Sequence, residues 1–174
     1  MGELARNRLF IITGAMAAGK STVAQLVAER LPKSVHLRGD LFRRMIVNGA
    51  AEMGPVLSQD ARAQLALRQD LACAAARAYV DAGFTVVYQD ILIGASLKDV
   101  ADRLADLEPM IIVLNPRPEI LAKRDAERAK TGYGEGFPPE VLAAALERET
   151  PRLGLWLDTS QMTPEEVVDR ILRA

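Results

Sequence analysis

Leu9-Phe10-Ile11-Ile12-Thr13, a short apolar run rich in β-formers, leads into Gly14-Ala15-Met16-Ala17-Ala18-Gly19-Lys20-Ser21. The octapeptide fits G-x-x-x-x-G-K-[ST] at every fixed position, and an alanine-containing helical pattern follows the lysine. That strand–loop–helix setting is what separates a phosphate-binding turn from a chance match in a Gly/Ala-rich segment. It constrains the fold as well, because it makes the first element of the chain a βα unit.

The physics of such a turn is direct. Glycines let the backbone curl so that successive N–H groups converge on one point, and the helix behind adds the positive end of its dipole. Lys20 supplies a mobile positive charge for β- and γ-phosphates, and the Ser21 hydroxyl suits the Mg²⁺ that bridges them. The expected nucleotide-binding set is Gly14, Ala15, Met16, Ala17, Ala18, Gly19, Lys20, Ser21 and Thr22.

The rest of the chain alternates in the same manner. Strands are predicted at Leu9–Thr13, Ser34–Leu37, Phe84–Gln89, Met110–Leu114 and Leu155–Leu157. Helices are predicted from about Lys20 to Leu31, Leu41 to Val47, Ser58 to Asp81, a Ser96 cap to Leu107, Glu119 to Lys130, Glu140 to Glu149, and after Thr163-Pro164. Pro32, Gly83 and the Gly/Pro-rich Thr131–Pro139 segment punctuate them. Five apolar strands separated by helices specify an α/β domain, a parallel sheet covered on both faces. The 174 residues and the lack of an interdomain linker fit one domain over 1–174.

Composition excludes several classes of function. A net charge of −1 supplies no global basic field for a long nucleic acid. No apolar run reaches the length of a membrane span. The single cysteine, Cys73, sits in an Ala-rich helical pattern and fits a reducing compartment, so a cytoplasmic protein is expected. Oligomeric state is not legible.

Parallel sheets collect ligands at the carboxyl ends of their strands. After the second strand comes Asp40, with Arg43 three residues on. A carboxylate beside the γ-phosphate can accept a proton from an attacking hydroxyl, and an arginine can hold an anionic group; a helix cap and a solvated charge are the structural alternatives. After the third strand comes Asp90, suited to Mg²⁺ directly or through water, or to substrate. Spacing alone leaves open which acid serves which role; Asp40 is assigned as base and Asp90 to the metal, with Ser21. After the fourth strand, Arg124 and Arg128 share a helix face ahead of a glycine-rich loop. We read about 124–139 as a lid that brings charge onto the leaving phosphates. Arg62 and Arg68 on the long helix are further candidates to grip an anion or to be solvated.

Taken together, Gly14–Ser21, Asp40-Leu41-Phe42-Arg43, Tyr88-Gln89-Asp90 and Arg124/Arg128 resemble the small P-loop phosphotransferases of the nucleoside-monophosphate-kinase-like class. That class includes chloramphenicol phosphotransferase, shikimate and gluconate kinases, adenylylsulfate kinase and the kinase domain of polynucleotide kinase. The resemblance covers almost the whole chain. It implies a three-layer P-loop NTPase fold with strand order 2-3-1-4-5 and a helical lid. It also implies Mg²⁺ and ATP, with phosphoryl transfer to a hydroxyl, Lys20, Asp40, Arg124 and Arg128 being catalytic. Asp90-Ile91-Leu92-Ile93-Gly94 is similar to chloramphenicol phosphotransferase, whereas the Asp-x-x-Arg after strand two is similar to polynucleotide and adenylylsulfate kinases. The expected acceptor is a small metabolite or antibiotic bound near Asp40, Arg43 and Asp90. The alternatives are a 5′-hydroxyl polynucleotide kinase and a nucleotide-binding module that transfers nothing.

Overall fold

The computed structural model describes residues 8–54, 56–127, 133 and 137–174. Its sheet has five parallel strands in the order β2-β3-β1-β4-β5: β1 Leu9–Gly14, β2 Ser34–Arg38, β3 Thr85–Gln89, β4 Met110–Leu114 and β5 Leu155–Leu157. The helices are α1 Lys20–Glu29, α2 Asp40–Arg44, α3 Gln59–Asp81, α4 Ala95–Arg103, α5 Pro118–Ala126, α6 Pro139–Glu149 and α7 Pro164–Leu172. This is the expected architecture and the expected strand order.

Period-two alternation splits the core into two layers. Phe10 and Ile12 of β1 pack with Val23, Ala24 and Val27 of α1 and with Val167, Val168 and Ile171 of α7. Leu9 and Ile11 face the other way, toward Ala72, Ala76 and Val80 of α3 and Leu97 and Val100 of α4. All six residues of β1 are buried, as a central strand of a doubly covered sheet requires. Ala72 and Ala76, one turn apart and fully buried, let the C-terminal half of α3 lie close to the sheet.

Local signals act where expected at two helix starts. The Ser58 hydroxyl accepts from Ala61 N–H at 3.0 Å, and Thr163 forms a reciprocal capping box with Glu166 behind Pro164. Several boundaries differ by one to four residues, among them those of α1, which ends at Glu29, and α4, which ends at Arg103. Helix α4 starts at Ala95 behind Gly94, so Ser96 lies inside the first turn instead of capping it. Helix α2 starts at Asp40 behind Gly39 and stops at Arg44, three residues short of Val47. No described helix is long and apolar enough to cross a membrane.

Candidate active site

The β1–α1 loop brings the strand's end and the helix's beginning around one point. Gly19 caps α1 at φ 92, a left-handed conformation that glycine adopts without cost. Lys20 opens the helix, is almost fully buried, and donates from Nζ to the Ala15 carbonyl at 2.7 Å. Ser21 and Thr22 are exposed in the first turn, where the helix N–H groups and dipole favour an anion. Of the motif, Met16 to Thr22 line a cleft of about 570 Å³, while Gly14 and Ala15 lie beneath it.

The cleft runs along the carboxyl ends of β1, β2 and β3, under α5 and the β5–α7 loop. Among the described residues five cationic side chains line it, Lys20, Arg38, Arg44, Arg68 and Arg124, against two carboxylates, Asp40 and Asp90. In a chain of net charge −1 this is a concentrated local positive field, the condition for binding polyphosphate.

Asp40 sits in the first turn of α2 and not at its cap, so its charge complements the helix dipole. Its Oδ2 pairs with Arg44 Nη2 at 2.7 Å, and Oδ1 lies 3.5 Å from Arg38 Nε. Oδ1 is buried and accepts no hydrogen bond. The arginine expected beside substrate, Arg43, is turned away: Nη2 donates to the Ala51 carbonyl at 2.8 Å. Gln64 of α3 holds the same loop, accepting from Ala51 N–H and donating to the Gly49 carbonyl. It is therefore Arg44, at i+4 from Asp40, that lines the cleft.

Asp90 is buried and heavily engaged. Arg68 from α3 grips it with a fork, Nε to Oδ2 at 3.0 Å and Nη2 to Oδ1. The Tyr88 hydroxyl donates to Oδ2 at 3.1 Å, and the Ile91 N–H donates to Oδ1 at 2.8 Å. Burial pushes the Tyr88 phenol above its ordinary value, which keeps it a donor. The turn before α2 roofs the carboxylate so closely that a Cβ on Gly39 would overlap it. With four donated hydrogen bonds, Asp90 faces arginine where sequence suggested a metal.

On the opposite side, Arg124 of α5 donates to the carbonyls of Thr159 at 3.0 Å and Ala18 at 3.4 Å, tying the β5–α7 loop to the phosphate loop. The second lid arginine, Arg128, lies outside the described residues. Asp125 is buried and accepts from Tyr133 N–H at 3.1 Å, while the Tyr133 hydroxyl donates to the Met16 carbonyl at 2.6 Å. Thr159 is buried, lines the cleft, and leaves Oγ1 without a partner.

The fold thus brings together Lys20, Ser21, Asp40, Asp90 and Arg124. Sequence reasoning missed Arg38 and the Tyr133–Met16 contact. It named Arg43 and not Arg44, although the Asp40/Arg44 spacing of four carried a usable signal.

A family model described as an AAA domain, AAA_33, matches residues 9–152. No curated protein matches the chain. Among solved structures, an unliganded sugar kinase from Janibacter sp. HTCC2649 is 21% identical, with 96% of this chain and 93% of that one covered and a TM-score of 0.67. A gluconokinase from Sinorhizobium meliloti 1021 is 20% identical over 97% and 91%, TM-score 0.65. A shikimate kinase from Bacteroides thetaiotaomicron is 16% identical over 94% and 93%, TM-score 0.65. At these identities the likeness establishes a kinase-like P-loop fold.

Proposed function

The chain belongs to the AAA_33 family of AAA domains, and from that premise we propose that it transfers the γ-phosphoryl of ATP to a hydroxyl of a small molecule. One observation carries the reading. A single cleft joins the phosphate loop and Lys20 to Asp40, whose Oδ1 is buried and accepts no hydrogen bond. The names of the structural neighbours, kinases of sugars, gluconate and shikimate, agree with a hydroxylated acceptor.

The residues present fit Mg²⁺. Ser21 opens on the cleft, and no cluster of three or more acidic, His or Cys ligands occurs among the described residues. That donor set suits an ion that keeps several waters and takes its remaining ligands from substrate phosphates. Ser21 would hold it, and Asp90, already bound to Arg68, would reach it only through water. Bound there, the ion supplies charge that neutralises the phosphates.

Asp40 takes the proton of the acceptor hydroxyl as its oxygen bonds to the γ-phosphorus. The bond from that phosphorus to the β,γ-bridging oxygen breaks, and ADP leaves with the electron pair. Lys20, the loop N–H groups and Arg124 stabilise the charge that spreads over the phosphoryl oxygens. Arg128 is assigned the same role.

Release of ADP from Mg-ATP, measured against sugars, polyols, hydroxy acids, nucleosides, antibiotics and a 5′-hydroxyl oligonucleotide, tests this. Stimulation by a small hydroxylated compound, lost in Asp40→Asn with ATP affinity kept, is the expected result. Phosphorylation of the oligonucleotide alone would move the reading to a polynucleotide kinase. ATP binding with no acceptor effect would make the protein a nucleotide-binding module.

A further inference from the structure

Nine large apolar side chains are exposed among the described residues, and seven of them fall between Leu41 and Leu71, on α2, the loop behind it and α3. Val47 is 90% exposed, Val56 88% and Leu67 50%. The loop lies against α3, because the Gln64 side chain bonds to the backbone of Gly49 and Ala51. Together the seven present roughly 700 Å² of surface. That exceeds the roughly 300–600 Å² of the largest patch on an ordinary monomer and comes close to the roughly 800 Å² that each partner buries in a stable complex.

The outer face of α3 identifies the occupant. Spacings of four and three place Ala63, Leu67, Leu71, Ala74 and Ala78 in one exposed stripe, opposite the buried Ala72, Ala76 and Val80. Turned end for end about a point between Asp70 and Leu71, this stripe complements itself. Leu67 meets Ala74, Ala63 meets Ala78, and Leu71 meets its own copy, which is what an isologous contact requires. Helices that interlock through i, i+4 ridges cross at about 50°, so the acids at the two ends of the stripe, Asp60 and Asp81, are carried apart. Along its edge Asp70 is matched by Arg103 and Arg77 by Asp106 within the chain, so pairing strands neither charge.

We propose that this face pairs with a second copy of the chain, two α3 helices crossing antiparallel with a two-fold axis beside Leu71. The loop that carries Val47 and Val56 closes the rim of the same contact, taking its valines out of water. None of the five stripe residues lines the cleft, so both sites of the pair stay open to nucleotide and acceptor.

Sedimentation velocity of the full chain, from low to high micromolar concentration, tests this, and a reversible dimer is the expected result. Leu67→Glu/Leu71→Glu should weaken association about a hundredfold or more, the loss expected when central anchors are removed. Both positions are exposed, so its circular dichroism should match the wild type. Val141→Glu, exposed on α6 away from this face, should leave the dimer as it is. Oxidation of Leu71→Cys should trap a covalent pair, because a residue beside the axis meets its own copy within disulfide reach, whereas Ala63→Cys should not cross-link. The native Cys73 is buried and stays out of that reaction. A wild type that remains monomeric at every concentration overturns the proposal and leaves the face to a different protein. A dimer that survives the double glutamate variant, or that Leu71→Cys does not trap, overturns it by placing the contact elsewhere.

Discussion

The Tyr133 hydroxyl donates to the Met16 carbonyl at 2.6 Å, so a residue from beyond α5 is fastened to the crest of the phosphate loop. Asp125 holds the same tyrosine by its backbone N–H. Removing the hydroxyl should loosen the loop's coupling to this segment without disturbing the core. Tyr133→Phe is expected to raise KM for ATP about fivefold, the worth of one hydrogen bond of about 1 kcal/mol. Steady-state kinetics at varied ATP checks this, and an unchanged KM would show that the contact does not support nucleotide binding.

Lys20 is expected to matter to the transition state far more than to the fold. Its Nζ donates to a loop carbonyl that backbone groups can partly compensate. Lys20→Ala should cut kcat by about 10²–10³, as loss of one preorganised charge stabiliser does. Circular dichroism should be unaltered. Retained turnover would refute the assigned role.

Gly39 is fixed by crowding and not by backbone angle, since its φ is −61. A methyl group there meets the Asp90 carboxylate at the heart of the Arg68 network. Gly39→Ala should cost about 1–3 kcal/mol, the usual range for overpacking. Gly54→Ala, which meets nothing within 4 Å, serves as the control. Urea denaturation of the two variants should separate them clearly.

His36 introduces a pH dependence. Its Nδ1 lies 2.8 Å from the Gln25 side-chain oxygen, which makes Nδ1 a donor. Burial first, and then Arg38, pull its pKa below the ordinary 6.5. The folded state therefore binds fewer protons than the unfolded chain between the two values. Its contribution is present above pH 6.5 and is lost as pH falls through the lowered folded value. Urea midpoints from pH 7.5 down to 5 should fall in the wild type, and the fall should shrink in His36→Gln.

Much of this architecture is written locally. The strand runs, the Ser58 and Thr163 caps and the phosphate loop are signals spanning a few residues, so periodicity and turn chemistry locate them. Helix ends were less legible: Gly94 displaced Ser96 as the cap because a positive-φ glycine ended the preceding loop two residues earlier. At the site, Asp40 and Asp90 were found because strand ends are known positions, but their partners were not. Arg68 lies 22 residues from Asp90, and no local pattern links them.

The sequence by itself determined the fold class, the phosphate loop and the acids at the strand ends, because those depend on residue type and short-range spacing. Only the tertiary structure decided that Arg44 and not Arg43 faces the cleft, that Asp90 is the partner of Arg68, and that Tyr133 reaches Met16. Each of those depends on how α2, α3 and α5 pack over the sheet, and on which buried polar groups must then satisfy one another across that packing.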